Sequence, residues 1–448
     1  MTTSTSDVAL KGFSREAVLA LSAAKGEPEW VRNWRLAAWE TYERLPLPLR
    51  SDEEWRRTDL RQLKLDRLSP FTGAGEPKTT DIAQALVGVG EGGVSNESAR
   101  AGVVVQRDGS DVYLEVQPDL AAQGVIFTDL DTAVREHADL IKRHLMTTAV
   151  PVDFGKFEAL HAAMWQGGAF LYVPRNVSID LPFRSFTIGT QPGSSIFTHT
   201  LVVLEENAEA FLVDAYNSET QQGLAYASGV VELIQGKSSK LRYVQVQDWG
   251  RNVHHMMTER ATLDRDATLN SLHVTLGSKW TKASIGSHMR GENSLAEMLG
   301  ISFADSDQFF DHHTWQLHEA PYATSDLEFK SALRDNARTV YSGLIKVSEG
   351  AQKTDAYQQN RNLVLSRDAR ADSIPNLEIK ANDVRCTHGA TISQVVPEHV
   401  FYLQARGIPR TEAQKLIVEG FFRPVIDRIP VEEIQGFLQG AIARKVGL

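Results

Sequence analysis

From about residue 165 to residue 395, short runs rich in Val, Ile, Leu, Thr, Phe and Tyr alternate with Gly, Asn and Asp. THTLVVLEENAEAFLVDAY, TLNSLHVTLGS, TVYSGLIKVSEGAQKTDA and NLEIKANDVRCTHGA have this texture, which predicts strands joined by tight turns. Proline is sparse here, so long regular pairing is possible. A small turn element recurs at Asn207-Ala208, Asp266-Ala267, Asn336-Ala337, Gly350-Ala351 and Asp368-Ala369. The last three of these alanines are 14 and 18 residues apart, and Val384 follows 15 later. A repeat of 14–18 residues reads as two strands with two turns, one coil of a β-solenoid. A sandwich or jelly roll is the alternative architecture.

Both ends of the chain change period. GEPEWVRNWRLAAWETYERLPLP has Pro28 near a helix start and Pro46 at its end. Trp30, Trp34, Ala37 or Ala38, and Thr41 to Leu45 recur at helical spacing. The cluster Trp30, Trp34 and Trp39 predicts packing against another surface. SPFTGAGEPKTT reads as a loop, and so does GVGEGGVS at 88–95, which lacks the Lys-Ser/Thr of a phosphate loop. Near the C-terminus, Pro397 opens PEHVFYLQARG, with Gly407 as its stop. TEAQKLIVEGFF starts with Thr411 and Gln414 at capping-box spacing. Its apolar stripe is Ala413, Leu416, Ile417 and Phe421. Pro430 opens VEEIQGFLQGAIARK, where Glu432 and Glu433 at the start and Arg444 and Lys445 at the end complement the helix dipole. Helices this short need a surface to dock on. The chain thus divides into a helical or mixed segment 1–150, a β core 151–396 and a helical segment 397–448.

Composition narrows the function classes. Of 448 residues, 42% are apolar and 23% charged, the balance of a globular protein. The net charge of −10 argues against nucleic acid and anionic membranes, which need a basic face. No run of 18 apolar residues predicts a membrane span, and MTTSTSDVALKGFS does not read as a signal peptide. One cysteine, Cys386, excludes an internal disulfide and a four-thiolate metal site, and it fits a reducing cytoplasm.

That cysteine lies in DVRCTHGAT, two places before His388. On a strand, Val384, Cys386 and His388 share a face while Arg385 and Thr387 take the other. The spacing of about 6–7 Å suits two irons of a cluster better than one ion. Two readings compete: half of a site completed by another chain, or a small packed cysteine beside a satisfied core histidine. DQFFDHHTWQLHEAP carries Asp311, His312, His313, His318 and Glu319. Neighbouring His312 and His313 face opposite ways, and His318 lies about 20 Å from His312, so hydrogen bonds across turns are expected rather than one metal site. His254-His255 meets the same objection. Lys353, Thr354, Asp355, Asn360 and Asn362 read as turn-supporting polar residues.

DHHT, ARTVYSGLIKV, AQKTDAYQQNRNLVLS, PNLEIKANDVRCTHGATISQ and FYLQARGI run in order from about Asp311 to Phe422. Together they resemble the SufB/SufD family of scaffold subunits of the SUF iron–sulfur cluster assembly machinery. EEWRRTDL, Glu53 to Leu60, is a weaker N-terminal echo. Cys386, His388, Gly389, Ala390 and Thr391 are similar to the SufD form of the motif. SufB-type chains carry His-Glu-Ala-Thr there and a cysteine upstream, whereas SRDARADSIPNLE has none.

The resemblance implies a mainly β protein, a right-handed parallel β-helix flanked by helical N- and C-terminal domains. It implies a non-catalytic scaffold that pairs with SufB through the β-helices and docks the SufC ATPase on its C-terminal helices. Phe401, Leu416, Ile417 and Phe421 are the candidate docking residues. It implies a transient iron–sulfur cluster shared with SufB, with His388 and Cys386 as candidate ligands. SufC dimerisation on ATP would strain the interface and expose these groups. Burial would favour neutral His388 for Fe(II) and a protonated Cys386. The chain itself is expected to bind no nucleotide, and a homodimer is possible in isolation. The alternatives are a purely structural partner of SufB and a β-helix that binds or cleaves carbohydrate.

Overall fold

The computed structural model describes residues 12–70, 78–86, 99–428 and 432–447. Strands occupy 42% of the chain and helices 25%. GVGEGGVS and the glycine-rich centre of SPFTGAGEPKTT lie outside the described residues, as does Pro430.

From residue 169 onward, successive strands alternate between two sheets, one of ten strands and one of nine. Leu295–Ala304, for example, pairs in parallel with Thr268–Thr275 on one side and Thr324–Leu333 on the other. The result is a solenoid of about 8 turns, not a sandwich or jelly roll. One row of corners explains its repeat. Asn207, Ser238, Asp266, Asn293, Tyr322 and Lys353 all have φ near +60° and follow one another at intervals of 27 to 31 residues. Asn and Asp tolerate this left-handed conformation better than other side-chain-bearing residues. Each corner donates its N–H to the next coil, as in Asp266 to the Glu292 carbonyl (2.9 Å) and Asn293 to that of Pro321 (3.2 Å). Buried Ala208 and Ala267 follow two of them. The 14–18-residue repeat is therefore half a coil, one strand and one corner, because the strands run to about ten residues rather than five.

Both outer faces of the solenoid are covered. On the nine-stranded sheet, Phe197, Leu201, Val230, Met256 and Trp280 pack against Trp39, Leu160 and Trp165. Trp39 is buried there, and Trp30 and Trp34 lean on the same cluster. On the ten-stranded sheet, Val244, Leu272, Leu299 and Phe303 pack against Val418, Phe422, Leu438 and Ile442. With the lumen inside and helices outside, strands such as Val253–Leu263 are buried along their whole length. The first sheet strand, Gly102–Arg107, already pairs in parallel with Phe183–Gly189. Residues 1–150 therefore supply strands as well as helices.

The C-terminal helices dock in an orientation that helical periodicity alone does not select. Helix Arg410–Ile426 begins after Pro409 with no side-chain cap, so Thr411 and Gln414 form no capping box. Its buried residues are Ala413, Val418, Phe422, Val425 and Ile426, a stripe rotated from the one expected. The solenoid contact sets that rotation and leaves Leu416 exposed. In the last helix, Glu432–Val446, Lys445 does more than complement the dipole. Its ammonium donates to the carbonyls of Leu276 (2.6 Å) and Phe303 (2.9 Å) and to Gln308 Oε1 (3.0 Å). No described helix is long and apolar enough to cross a membrane.

Candidate functional site

Strands Arg370–Ile379 and Arg385–Gln394 form the last coil, one at the edge of each sheet. Each pairs on one side only. Pro375 is tolerated in the first because an edge strand needs fewer ladder donors. Among the described residues, no further coil covers the lumen here. Ile379 and Ile392 are 40% and 54% exposed at this end.

The register places the single cysteine. Cys386 pairs with Ala356 and His388 with Gln358. Ala356, Gln358, Asn360 and Asn362 are buried and alternate with outward residues. Cys386 and His388 therefore share the lumen-side face, at the uncovered end. Cys386 is half-buried against Ile345, Val347, Ala356 and Leu377. Burial, and then the nearby Asp355 carboxylate, push its thiol above its ordinary value. His388 is exposed in the single chain, not buried as expected. Among the described residues, no group of three ligands able to hold one ion includes either residue. Because little thiolate forms at neutral pH, iodoacetamide is expected to alkylate Cys386 about tenfold more slowly than a free cysteine at pH 7.5. Intact-mass kinetics on the purified chain check this, and alkylation as fast as the free thiol would contradict it.

Beneath the pair, the lumen is polar. Gln358 is fully buried, and neither of its amide atoms has a hydrogen-bond partner among the described residues. A Cβ on Gly343 would meet this amide and the Tyr341 hydroxyl, so glycine leaves both side chains their room. Asn362 Nδ2 donates to Asn360 Oδ1 (2.7 Å), which also accepts the Ser373 hydroxyl (2.6 Å). Asn360 and Asn362 thus bridge the inside of the last coils rather than support turns. Of that polar segment, Lys353 sits at a corner.

The histidine-rich stretch divides as parity requires. His312 faces the lumen, where its Nε2 meets the Thr275 hydroxyl at 3.0 Å, and His318 meets Ser325 at 2.8 Å. The His312 bond crosses the lumen, whereas the His318 bond joins the two strands on either side of one turn, as expected. Burial lowers both imidazoles to about 4. His255 also faces inward against Tyr216 and Trp249, while His254 packs on Trp280.

Asp311 and His313 point outward into a buried node. Asp311 accepts from Lys282 Nζ (2.8 Å) and from the Thr58 hydroxyl, and its other oxygen lies 3.0 Å from His313 Nε2. Lys282 also donates to the Glu54 carbonyl (2.6 Å). EEWRRTDL and DHHT, more than 250 residues apart, meet here. A second buried chain fastens helix Lys156–Met164 to the same sheet. Ser228 Oγ lies 3.0 Å from His161, His161 lies 3.3 Å from His199, and His199 lies 3.2 Å from Glu232. Its members sit on three elements, with Ser228 and Glu232 on one strand, and form no motif, so no sequence signal points to it.

The four candidate docking residues separate by burial. Phe401 is 72% exposed and Leu416 is also exposed, whereas Ile417 and Phe421 lean on the solenoid cluster. Tyr402 adds to the exposed apolar surface beside Phe401.

Residues 186–421 match the family model described as SUF system FeS cluster assembly, SufBD core domain. Residues 95–184 match the SufBD protein N-terminal region. The chain is 30% identical over 436 residues to the iron–sulfur cluster assembly protein SufD of Bacillus subtilis, covering 96% of this chain and 98% of that protein. It is 29% identical over 431 residues to SufB of the same organism, covering 94% and 90%. A SufBD family protein of Staphylococcus saprophyticus is 30% identical over 431 residues, with the same coverage.

Proposed function

Because this chain belongs to the SufB/SufD family of the SUF iron–sulfur cluster assembly system, we propose that it acts as the SufD-type scaffold subunit, without catalysing a reaction itself. One observation carries the reading. Cys386 and His388 stand side by side on the uncovered lumen face of the last coil, without a third ligand among the described residues. A thiol and an imidazole in that position are half of a cluster site, and a second chain supplies the rest. The partner is a SufB-type subunit, joined end to end through the open coil. The lone cysteine, with Gly389, Ala390 and Thr391 after His388, favours the SufD role over the SufB role.

The cluster is cargo, assembled between the two subunits and passed on. His388 offers an accessible imidazole to iron. Cys386 enters as a ligand only when iron displaces its proton. A SufC-type ATPase docks on the C-terminal helices through exposed Phe401 and Leu416, with Ile417 and Phe421 at the margin. ATP-driven closure of the ATPase would pull on helices that pack directly on the solenoid. The packing of Cys386 among Ile345, Val347 and Leu377 favours a second reading, in which this residue only supports the coil.

Co-expression with SufB-type and SufC-type partners, followed by anaerobic visible spectra and iron and sulfide analysis, tests both readings. His388→Ala is expected to lower cluster content about tenfold at equal complex yield. Cluster at the unsubstituted level would remove His388 from the site, and failure of the unsubstituted chain to co-purify with either partner would remove the scaffold role. Cys386→Ser separates the readings: full cluster content in this variant favours the packing role for Cys386.

A further inference from the structure

A separate group of carboxylates converges at the other end of the solenoid. Asp111 lies on the strand Ser110–Val116, Asp129 ends the strand Ile126–Asp129, and Asp131 sits in the first turn of helix Leu130–Glu136. One carboxylate oxygen from each lies within 4.8 Å of the others. Asp129 is fully buried, Asp131 is 7% exposed and Asp111 is half-buried.

Protein donors do not satisfy this group. Asp129 Oδ1 accepts the Thr132 N–H at 2.7 Å, and Asp111 Oδ1 accepts from Gln106 Nε2 at 2.9 Å. Asp131 Oδ2 accepts from Lys25 Nζ, which also donates to the Gly109 carbonyl at 3.2 Å. Asp131 Oδ1 is shielded from solvent and has no hydrogen-bond partner among the described residues. Among those residues, one ammonium in direct contact faces three carboxylates. Buried charge left unpaired is costly, and three such groups cannot all stay ionised without a cation.

We propose that Asp111, Asp129 and Asp131 bind one hard divalent cation, with Ca2+ the best match. The group offers only oxygen, which suits hard ions and not soft ones. Ca2+ accepts irregular oxygen geometry, whereas Mg2+ demands a near-ideal octahedron and keeps several waters, for which a largely buried group leaves little room. The charge left over after Lys25 is that of a divalent ion. The cation would staple the first hairpin to the strand–helix junction that opens the nine-stranded sheet. Through Lys25, which caps helix Arg15–Ala24, it would also hold the N-terminal helix. It is independent of the terminal coil and of the proposed cluster role.

The test uses the full chain, stripped with chelator, in calorimetric titration and thermal unfolding with CaCl2 or MgCl2. One Ca2+ per chain is expected, with a melting temperature that rises as Ca2+ saturates. Asp131→Asn removes the unpartnered oxygen, and Asp111→Asn changes the most exposed member, which is the substitution that least endangers folding. Each is expected to weaken Ca2+ binding about tenfold or more. No saturable binding of either ion by the unsubstituted chain would overturn the site. Binding that neither substitution weakens would overturn its location, and tight Mg2+ binding without Ca2+ binding would overturn the choice of ion.

Discussion

Asp311→Ala is expected to lower folding stability by about 3–5 kcal/mol, because it leaves the buried Lys282 ammonium without its counter-charge. Lys282 is 6% exposed and lies beneath the N-terminal segment, 5.2 Å from the Trp55 ring centre. Removing Asp311 also strands the Thr58 hydroxyl and frees His313. The loss is read as a shift in the urea midpoint at unchanged slope. The double variant Lys282→Met with Asp311→Leu is expected to recover most of it, because an apolar pair carries no desolvation penalty. A single-variant loss below about 1 kcal/mol would mean that water reaches the node. The pH dependence has a definite sign. Burial alone would raise the Asp311 carboxyl, but Lys282 and His313 hold it well below its ordinary value of 3.8. Its stabilisation is therefore complete above about pH 4 and lost as the pH falls further. The gap between the unsubstituted chain and Asp311→Ala should shrink over that acid range.

Ile379→Asp combined with Ile392→Asp is expected to weaken association through the last coil by about 30-fold to 1,000-fold, or 2–4 kcal/mol. Both side chains stand exposed at the open end of the solenoid, Ile379 on one sheet edge and Ile392 on the other. An uncovered lumen flanked by two unpaired edges is a surface suited to pairing with a second chain, as proposed above. Carboxylates there would be buried without partners in the assembled state. Since both residues are exposed in the single chain, its circular dichroism and unfolding midpoint should change little. Sedimentation of the variant with a SufB-type partner, and by itself, checks the prediction. Undiminished association in both would move the interface away from this coil.

Much of the fold follows from short-range features. Asn207 and Asp266 mark corners because their side chains tolerate a left-handed backbone, and the alanines after them are small enough to lie under the turn. Those residues reveal a solenoid, but not its period, because both rows of corners use them: Asn336-Ala337 and Asp368-Ala369 lie on the second row, so successive signals mark half a coil. Strand parity correctly set Cys386 and His388 on one face, and His312 and His313 on two. It does not say which face meets the lumen. The C-terminal helices were visible from their punctuation, whereas the buried stripe of Arg410–Ile426 was not, since two adjacent stripes of that helix are apolar.

Alternating apolar runs, turn residues and a single cysteine determined, by themselves, a solenoid with helical ends and a thiol–imidazole pair on one strand face. These are local properties, set by backbone sterics and by side-chain direction within a few residues. Only the tertiary structure decided that this pair lies at the uncovered end, that Thr58 and Lys282 meet on Asp311, and that three aspartates converge near Lys25. Those contacts join residues tens to hundreds of positions apart. Their energy depends on burial and on partners brought in by coil stacking, which no local pattern encodes.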